Sequence, residues 1–257
     1  MSKRVVVVPD YESMSQSAAD SILEAIRRTP WLLICAATGA TPTRTYGLLA
    51  EHCTRSPELF RQMRIIKLDE WCGLRADDPA SCEEYLQQHL VQPLNISADR
   101  YIAFKSDPKD PQAECERIAS ALAREGPIDL AILGIGNNGH IGFNEPHGAI
   151  VAHAHVSELA LESRQHAMLS RSTVGNPQEI VRYGLTLGMS DLLHAGEVII
   201  LANGMRKRKP LQRMLDKWAS EQASPASFLW QHHTNAVCIC DQAAAQDGAC
   251  GHSPLIG

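Results

Sequence analysis

The residues best suited to chemistry lie in one glycine-dense stretch, Gly134-Ile-Gly-Asn-Asn-Gly-His-Ile-Gly-Phe-Asn-Glu-Pro146. It presents one histidine, His140, and one carboxylate, Glu145, five residues apart. Imidazole titrates near neutral pH and moves protons, and a carboxylate beside it can orient the ring or share its proton. Glycines let backbone come close to a ligand. Gly134-x-Gly136-x-x-Gly139 matches the dinucleotide-binding spacing, but that fingerprint needs a helix opening directly behind it. Gly142 and Pro146 forbid one, so hydride transfer is set aside. A lone histidine is most often structural; one in a glycine loop beyond a strand is a candidate proton shuttle.

Three further stretches could complete a site. Lys67-Leu-Asp-Glu-Trp71 ends a strand in two consecutive carboxylates. Neighbours on an extended backbone point to opposite faces, so one of Asp69 and Glu70 can face a cleft while the other turns away. Read alone, the pair is equally a solvated acidic turn. Ala37-Thr-Gly-Ala-Thr-Pro-Thr43 joins a buried strand to a helix. Thr38, Gly39, Ala40 and Thr41 would set hydroxyls and N–H groups at a helix N-terminus, which favours phosphate, although an ordinary threonine-capped turn has the same look. It lacks the Gly-Lys-Ser/Thr ending of a Walker loop. Gly204-Met-Arg-Lys-Arg-Lys209 puts four cations at a helix start, against the macrodipole, which makes sense if an anion sits there. Lys207 is the expected inward cation; a solvated charge run is the plainer reading. His153-x-His155 and His232-His233 lack a third ligand at metal spacing, so no metal is expected.

These loops need strands to carry them. Val5–Val8, Trp31–Ala37, Arg64–Leu68, Ile128–Leu133, Gly184–Thr186, Glu197–Leu201 and Ala236–Cys240 read as strands. Ser15–Arg28, Thr43–Cys53, Cys82–Val91, Gln112–Arg124, Ser190–His194 and Arg206–Trp218 read as helices. The alternation predicts an α/β fold: one domain over residues 1–241, with a mostly parallel sheet covered by helices on both faces. The segment 242–257, rich in Ala, Gln and Gly, is expected to be a flexible tail.

The chain has 257 residues, 44% of them apolar and 21% charged, which suits a globular core. A net charge of −5 offers no footprint for nucleic acid, so an anionic ligand needs a local basic site. No run approaches a membrane span, and Pro9, Asp10 and Glu12 end the first apolar run too early for a secretion signal. The eight scattered cysteines form no paired C-x-x-C units and read as reduced thiols of a cytoplasmic protein.

Taken together, the four motifs resemble the glucosamine-6-phosphate deaminase family, related to the 6-phosphogluconolactonases. The resemblance runs from about Trp31 to Cys240, and the motifs occur in the family's order. Cys35-Ala-Ala-Thr-Gly-Ala-Thr-Pro42, Leu86-Gln-Gln-His-Leu-Val-Gln-Pro-Leu94, Glu114-Cys-Glu-Arg117 and Pro225-Ala-Ser-Phe-Leu-Trp230 look closer still to its galactosamine-6-phosphate deaminase/isomerase branch.

The resemblance implies a Rossmann-like open sheet and a phosphorylated amino sugar as substrate, with no cofactor. Galactosamine 6-phosphate would give tagatose 6-phosphate; glucosamine 6-phosphate would give fructose 6-phosphate. By position, Asp69 is the base at C2, His140 the ring-opening acid/base and Glu145 its orienting carboxylate. Asn138 joins the catalytic set. Thr38, Gly39, Ala40, Thr41, Glu70, Gly139 and Lys207 fall in the substrate-binding set. Some deaminases carry aspartate where this chain has Asn138, which shifts the histidine's support toward Glu145. Many glucosamine enzymes carry a phosphate-binding arginine in the segment matching Ser163–Ser170; register there suggests Leu169, with Arg164 and Arg171 displaced. The lactonases usually read Gly-His-Thr-Ala-Ser at the histidine loop, unlike this chain. A sugar-phosphate sensor would have no need of both Asp69 and His140. The family contains monomers and oligomers, and the sequence selects neither.

Overall fold

Strand-length apolar runs and amphipathic helices assemble as the alternation requires. The computed structural model describes residues 3–146, 149–216 and 224–245. The strands are β1 (Arg4–Val8), β2 (Leu33–Ala36), β3 (Arg64–Lys67), β4 (Asp69–Trp71), β5 (Tyr101–Ile102), β6 (Leu130–Gly134), β7 (His155–Glu158), β8 (Tyr183–Thr186), β9 (Glu197–Ala202) and β10 (Ala236–Asp241). The first helices are α1 (Tyr11–Arg28), α2 (Ala40–Arg55), the short α3 (Cys82–Leu86) and α4 (Pro111–Glu125). They are followed by the single turns α5 (Leu161–Arg164), α6 (Pro177–Ile180) and α7 (Met189–Leu193). Then come α8 (Arg208–Leu215), α9 (Pro225–His232) and α10 (Gln242–Ala245).

Seven strands pair in parallel in the order β1-β10-β9-β6-β2-β3-β5. Side chains alternate across this sheet with period two. Ile34, Ile65, Leu130, Ile132, Ile199 and Val237 face the core shared with α1 and α2. Leu33, Cys35, Ile66, Ala131, Val198 and Cys238 face the core shared with α4, α8 and α9. From β2 the chain runs outward to β3 and β5, then returns to β6 on the other side of β2. That reversal opens a crevice at the carboxyl ends of β2 and β6, where open α/β sheets bind ligands.

Several local expectations are corrected. The strand expected at Arg64–Leu68 stops at Lys67, and Asp69–Trp71 joins a separate antiparallel sheet, β4-β8-β7. Trp31 lies outside its strand and is exposed. The helix expected to start at Thr43 starts at Ala40, so the threonine loop is its first turn. Cys82–Val91 begins as α-helix and widens into a π-helical turn at Gln87–Val91. The helix expected over Arg206–Trp218 is a 3-10 turn, Met205–Lys207, followed by α8; Trp218 lies outside the described residues. At the end of β10, Asp241 Oδ1 accepts the Ala244 N–H at 2.7 Å, and Ala244 is buried. Residues 246–257 lie outside the described residues. Among the described residues no helix is long and apolar enough to cross a membrane.

Candidate active site

Four loops leave the carboxyl edge of the sheet side by side: after β2, β3, β6 and β9. The β3 and β6 loops interlock. A Cβ on Gly142 would stand 3.3 Å from Leu68 Cγ, and the Phe143 N–H donates to Thr186 Oγ1 at 3.2 Å. Thr186 is the register partner of Asp69 across β4 and β8. The loop bearing His140 therefore adjoins the strand bearing Asp69.

The two carboxylates at the end of β3 diverge. Asp69 is 7% exposed, and its Oδ1 accepts no hydrogen bond from a described residue. Burial raises its pKa to about 7; the Glu70 charge adds to this and Lys67 opposes it. Such a carboxyl can act as a base near neutral pH. Glu70, expected to touch substrate, is wholly buried instead. Its Oε1 accepts the N–H groups of Trp71 and Cys82, and its Oε2 that of Glu83. Lys67 Nζ lies 2.7 Å from Glu70 and 2.8 Å from Glu83. Burial would lower the Lys67 pKa, but these carboxylates hold it above its ordinary value. Glu70 thus fixes the start of α3 and the path of β4, and with it the aim of Asp69.

His140 has Nδ1 3.2 Å from Ser163 Oγ and 3.7 Å from Glu145 Oε2. Asn138 ties the loop together: its amide donates to Glu145 at 3.0 Å and its oxygen accepts the His140 N–H at 3.1 Å. Burial would raise Glu145, but His140, Ser163 and Asn138 hold its carboxyl below its ordinary value, so it remains an anion behind the imidazole. The ring lies against Gly136, where a Cβ would come 2.3 Å from Nε2; only glycine admits it. Gly139 is committed to structure rather than open to substrate. Its carbonyl accepts from Ala226 N–H and Ser224 Oγ, and its N–H donates to Gly136.

Helix α2 begins at Gly39 with φ +105 and no side-chain cap, leaving first-turn N–H groups unspent. That φ favours glycine. Tyr85 and Tyr11 donate to the carbonyls of Gly39 and Ala40, each at 2.8 Å. Thr41 Oγ1 donates to Asn203 at 2.8 Å, joining this turn to the loop after β9, while Thr38 Oγ1 lies 3.5 Å from Cys82 Sγ. From the β9 loop Lys207 reaches the Ile135 carbonyl at 2.6 Å and Asn137 at 3.0 Å. Burial pulls its pKa down to about 8. Leu169 is buried in the small core around Trp71 and Phe143, and Arg164 is bound to the Gln178 carbonyl. Arg171 is exposed, and its charge acts on Tyr85 and His89, beside the α2 turn.

Sequence reasoning missed Lys67, Ser163 and His166. His166 precedes the 3-10 turn Ala167–Arg171, and its Nδ1 accepts the Met168 N–H at 3.2 Å. Its ring centroid lies 6.0 Å from that of Trp71, and its Cε1 4.0 Å from where a Cβ on Gly39 would stand. Surrounding protein pushes its pKa down to about 4, with the charges of His140 and Lys207 adding to the effect. His166 as a residue is nevertheless exposed. Nothing in the local sequence marks this histidine. Among the described residues no three His, Cys, Asp or Glu side chains converge as metal ligands.

Comparisons with known proteins place the chain in a family. The family of glucosamine-6-phosphate isomerases/6-phosphogluconolactonase matches residues 9–238, and the chain belongs to it. The chain is 42% identical over 232 residues to the Escherichia coli (strain K12) protein named "Putative deaminase AgaI", covering 90% of this chain and 89% of that one. It is 33% identical over 241 residues to the glucosamine-6-phosphate deaminase of Geobacillus sp. (strain WCH70), covering 94% of each. Among solved structures it is similar to a monomeric glucosamine-6-phosphate deaminase, with TM-score 0.86 and 30% identity over 94% of this chain and 98% of that one. The 6-phosphogluconolactonase of Trypanosoma brucei shares the fold, with TM-score 0.73 and 22% identity over 95% and 98% of the two chains.

Proposed function

We propose that this member of the glucosamine-6-phosphate isomerase/6-phosphogluconolactonase family is an amino-sugar-6-phosphate deaminase/isomerase. Its preferred substrate is galactosamine 6-phosphate, and its products are tagatose 6-phosphate and ammonia. The observation that carries the reading is a buried carboxylate with a free oxygen, Asp69, beside the loop that presents His140 backed by Glu145.

The substrate binds with its phosphate at the α2 turn, Thr38–Thr41, where N–H groups and the helix dipole favour an anion. Lys207 supplies a cation there, and Arg171 a second one that the sequence register did not assign. His140 moves a proton between the anomeric hydroxyl and the ring oxygen, opening the pyranose to the aldehyde. Asp69, ionised near pH 7, removes the C2 proton, the electron pair forms the C1–C2 double bond, and the aldehyde oxygen takes a proton from solvent, giving an enol-amine. Return of a proton to C1 gives a 2-imino alcohol. Water adds to that imine and ammonia leaves, so one water is consumed for each ketose and ammonia formed. Every step is proton transfer or hydrolysis, and no cofactor is needed.

The choice of the galacto substrate is supported by the four stretches resembling that branch. The chain is also closer to the Escherichia coli deaminase at 42% than to the Geobacillus glucosamine enzyme at 33%. A phosphorylated substrate fits a cytoplasmic enzyme, and the seven described cysteines form no disulfide. The test is ammonia release by the purified chain with galactosamine and glucosamine 6-phosphates in parallel. The expected result is faster release from the galacto sugar. Faster release from the gluco sugar moves the assignment to fructose 6-phosphate formation, and no ammonia from either removes the deaminase reading.

A further inference from the structure

We propose that His166 reads the C4 hydroxyl of the sugar, donating to it from Nε2–H, and so sets the preference between C4 epimers. The inference rests on the sugar-phosphate reading of the cleft.

The first argument is the tautomer. Nδ1 accepts the Met168 N–H at 3.2 Å, which in a neutral ring leaves the proton on Nε2. Nε2 has no partner among the described residues, and the residue is exposed. The second argument is rigidity. One ring nitrogen caps the Ala167–Arg171 turn, whose Met168 and Leu169 are buried, so the other is held in a fixed direction. The third is position. Cε1, bonded to the free nitrogen, lies 4.0 Å from where a Cβ on Gly39 of the phosphate turn would stand, and the ring is tilted against Trp71 of the Asp69 strand at a centroid distance of 6.0 Å. Trp71 ends the strand that carries Asp69, and Gly39 opens the phosphate turn, so the ring stands between the two ends of the proposed site. Carbons 3 to 5 of a hexose 6-phosphate span that interval. The His166 pKa, pushed down to about 4 by the surrounding protein, leaves the imidazole uncharged, which suits a hydroxyl partner better than a phosphate dianion.

Two substitutions separate the cleft role from the capping role. His166→Asn keeps a side-chain acceptor at the cap position but withdraws the Nε2–H. His166→Gln keeps an N–H at about the reach of Nε2 but loses the cap. The probes are the two C4-epimeric 2-amino-2-deoxyhexitol 6-phosphates, which cannot be turned over, and inorganic phosphate, each measured by calorimetry on the full chain. We expect the wild-type epimer preference to shrink about tenfold in His166→Asn, the scale of one lost hydrogen bond in a closed site. Inorganic phosphate should bind that variant as it binds wild type, and His166→Gln should retain the preference. An unchanged epimer ratio in His166→Asn overturns the proposal. So does an equal loss for inorganic phosphate, which would put the contact on the ester, and so does a wild type with no preference. Because the probes do not react, these results stand whether or not the chain releases ammonia; failure to release it bears on the deaminase reading alone.

Discussion

Asp69 and Glu70 are consecutive residues with opposite surroundings. Glu70 has both oxygens engaged by three backbone N–H groups and the Lys67 ammonium, while Asp69 keeps an oxygen without a partner. The pleat of β4 turns the two carboxylates to opposite faces of the strand, and both are buried. Glu70 is scaffolding, and Asp69 is the proposed base.

Removing the Asp69 charge should separate activity from stability. Asp69→Asn should lower ammonia release by ~10²-fold or more, the scale of a lost proton-transfer group. The folded-state pKa, about 7 against the ordinary 3.8 of an aspartate, is raised, so the protonated form favours folding. That contribution is complete below about pH 4 and is lost as pH rises through 7. The asparagine variant has no such loss. Its unfolding free energy from urea titration should match wild type near pH 4 and exceed it at pH 8, by roughly 2–4 kcal/mol at most by linkage. A wild-type turnover in this variant would remove Asp69 from the mechanism.

Much of this was legible in the sequence because it is local. Strand periodicity placed the loops, and glycine and proline set where helices could not run. The loops bearing Asp69, His140, Thr41 and Lys207 do meet along one edge of the sheet. What stayed hidden depended on distant partners. Asp69–Trp71 is too short to announce itself as a strand and forms one only by pairing with Tyr183–Thr186. That pairing decides which carboxylate faces inward, and it made Glu70 structural. His166 stands in a polar stretch without periodicity, and its place is set by burial of Met168 and Leu169 beside it.

Lys67 should matter for folding rather than binding. It is wholly buried between Glu70 and Glu83, with the Tyr101 hydroxyl donating to Glu83 at 3.0 Å. Lys67→Met leaves buried carboxylates uncompensated, which costs about 3–5 kcal/mol. Pairing it with Glu70→Gln should recover part of that loss. Equal denaturation midpoints for wild type and Lys67→Met would show that the network carries no net stability.

His140 is proposed to act at ring opening. His140→Gln should therefore slow the pyranose substrate by ~10²-fold, the usual range for an acid/base group. An open-chain analogue should lose less, because it bypasses that step. Stopped-flow rates on both substrates make the comparison, and equal losses would move His140 to a later step.

Lys207 should act on binding. Its ammonium is held by the Ile135 carbonyl and Asn137, not by a carboxylate, so it is free to compensate a phosphate dianion. Lys207→Met should raise KM by ~10²-fold with a smaller change in kcat, as expected for an interaction made equally in ground and transition states. Inhibition by inorganic phosphate should weaken in parallel. A fall in kcat with unchanged KM would place the lysine at the reacting carbons.

The pH profile joins these groups. In the free enzyme Asp69 must be ionised and Lys207 protonated, and kcat/KM reports both. With pKa values of about 7 and about 8, the profile should be a narrow bell centred between them. The acid limb comes from protonating the base; the alkaline limb comes from losing the phosphate cation. His166, at about 4, stays neutral across the window and adds no limb. Substitutions should move the limbs independently. Lys207→Arg keeps its charge at every pH used and should carry the alkaline limb upward. Glu70→Gln removes a charge that raises Asp69 and should carry the acid limb downward. If Lys207→Arg leaves the alkaline limb in place, that limb belongs to another group, and the cation at the phosphate is not titrating in this range.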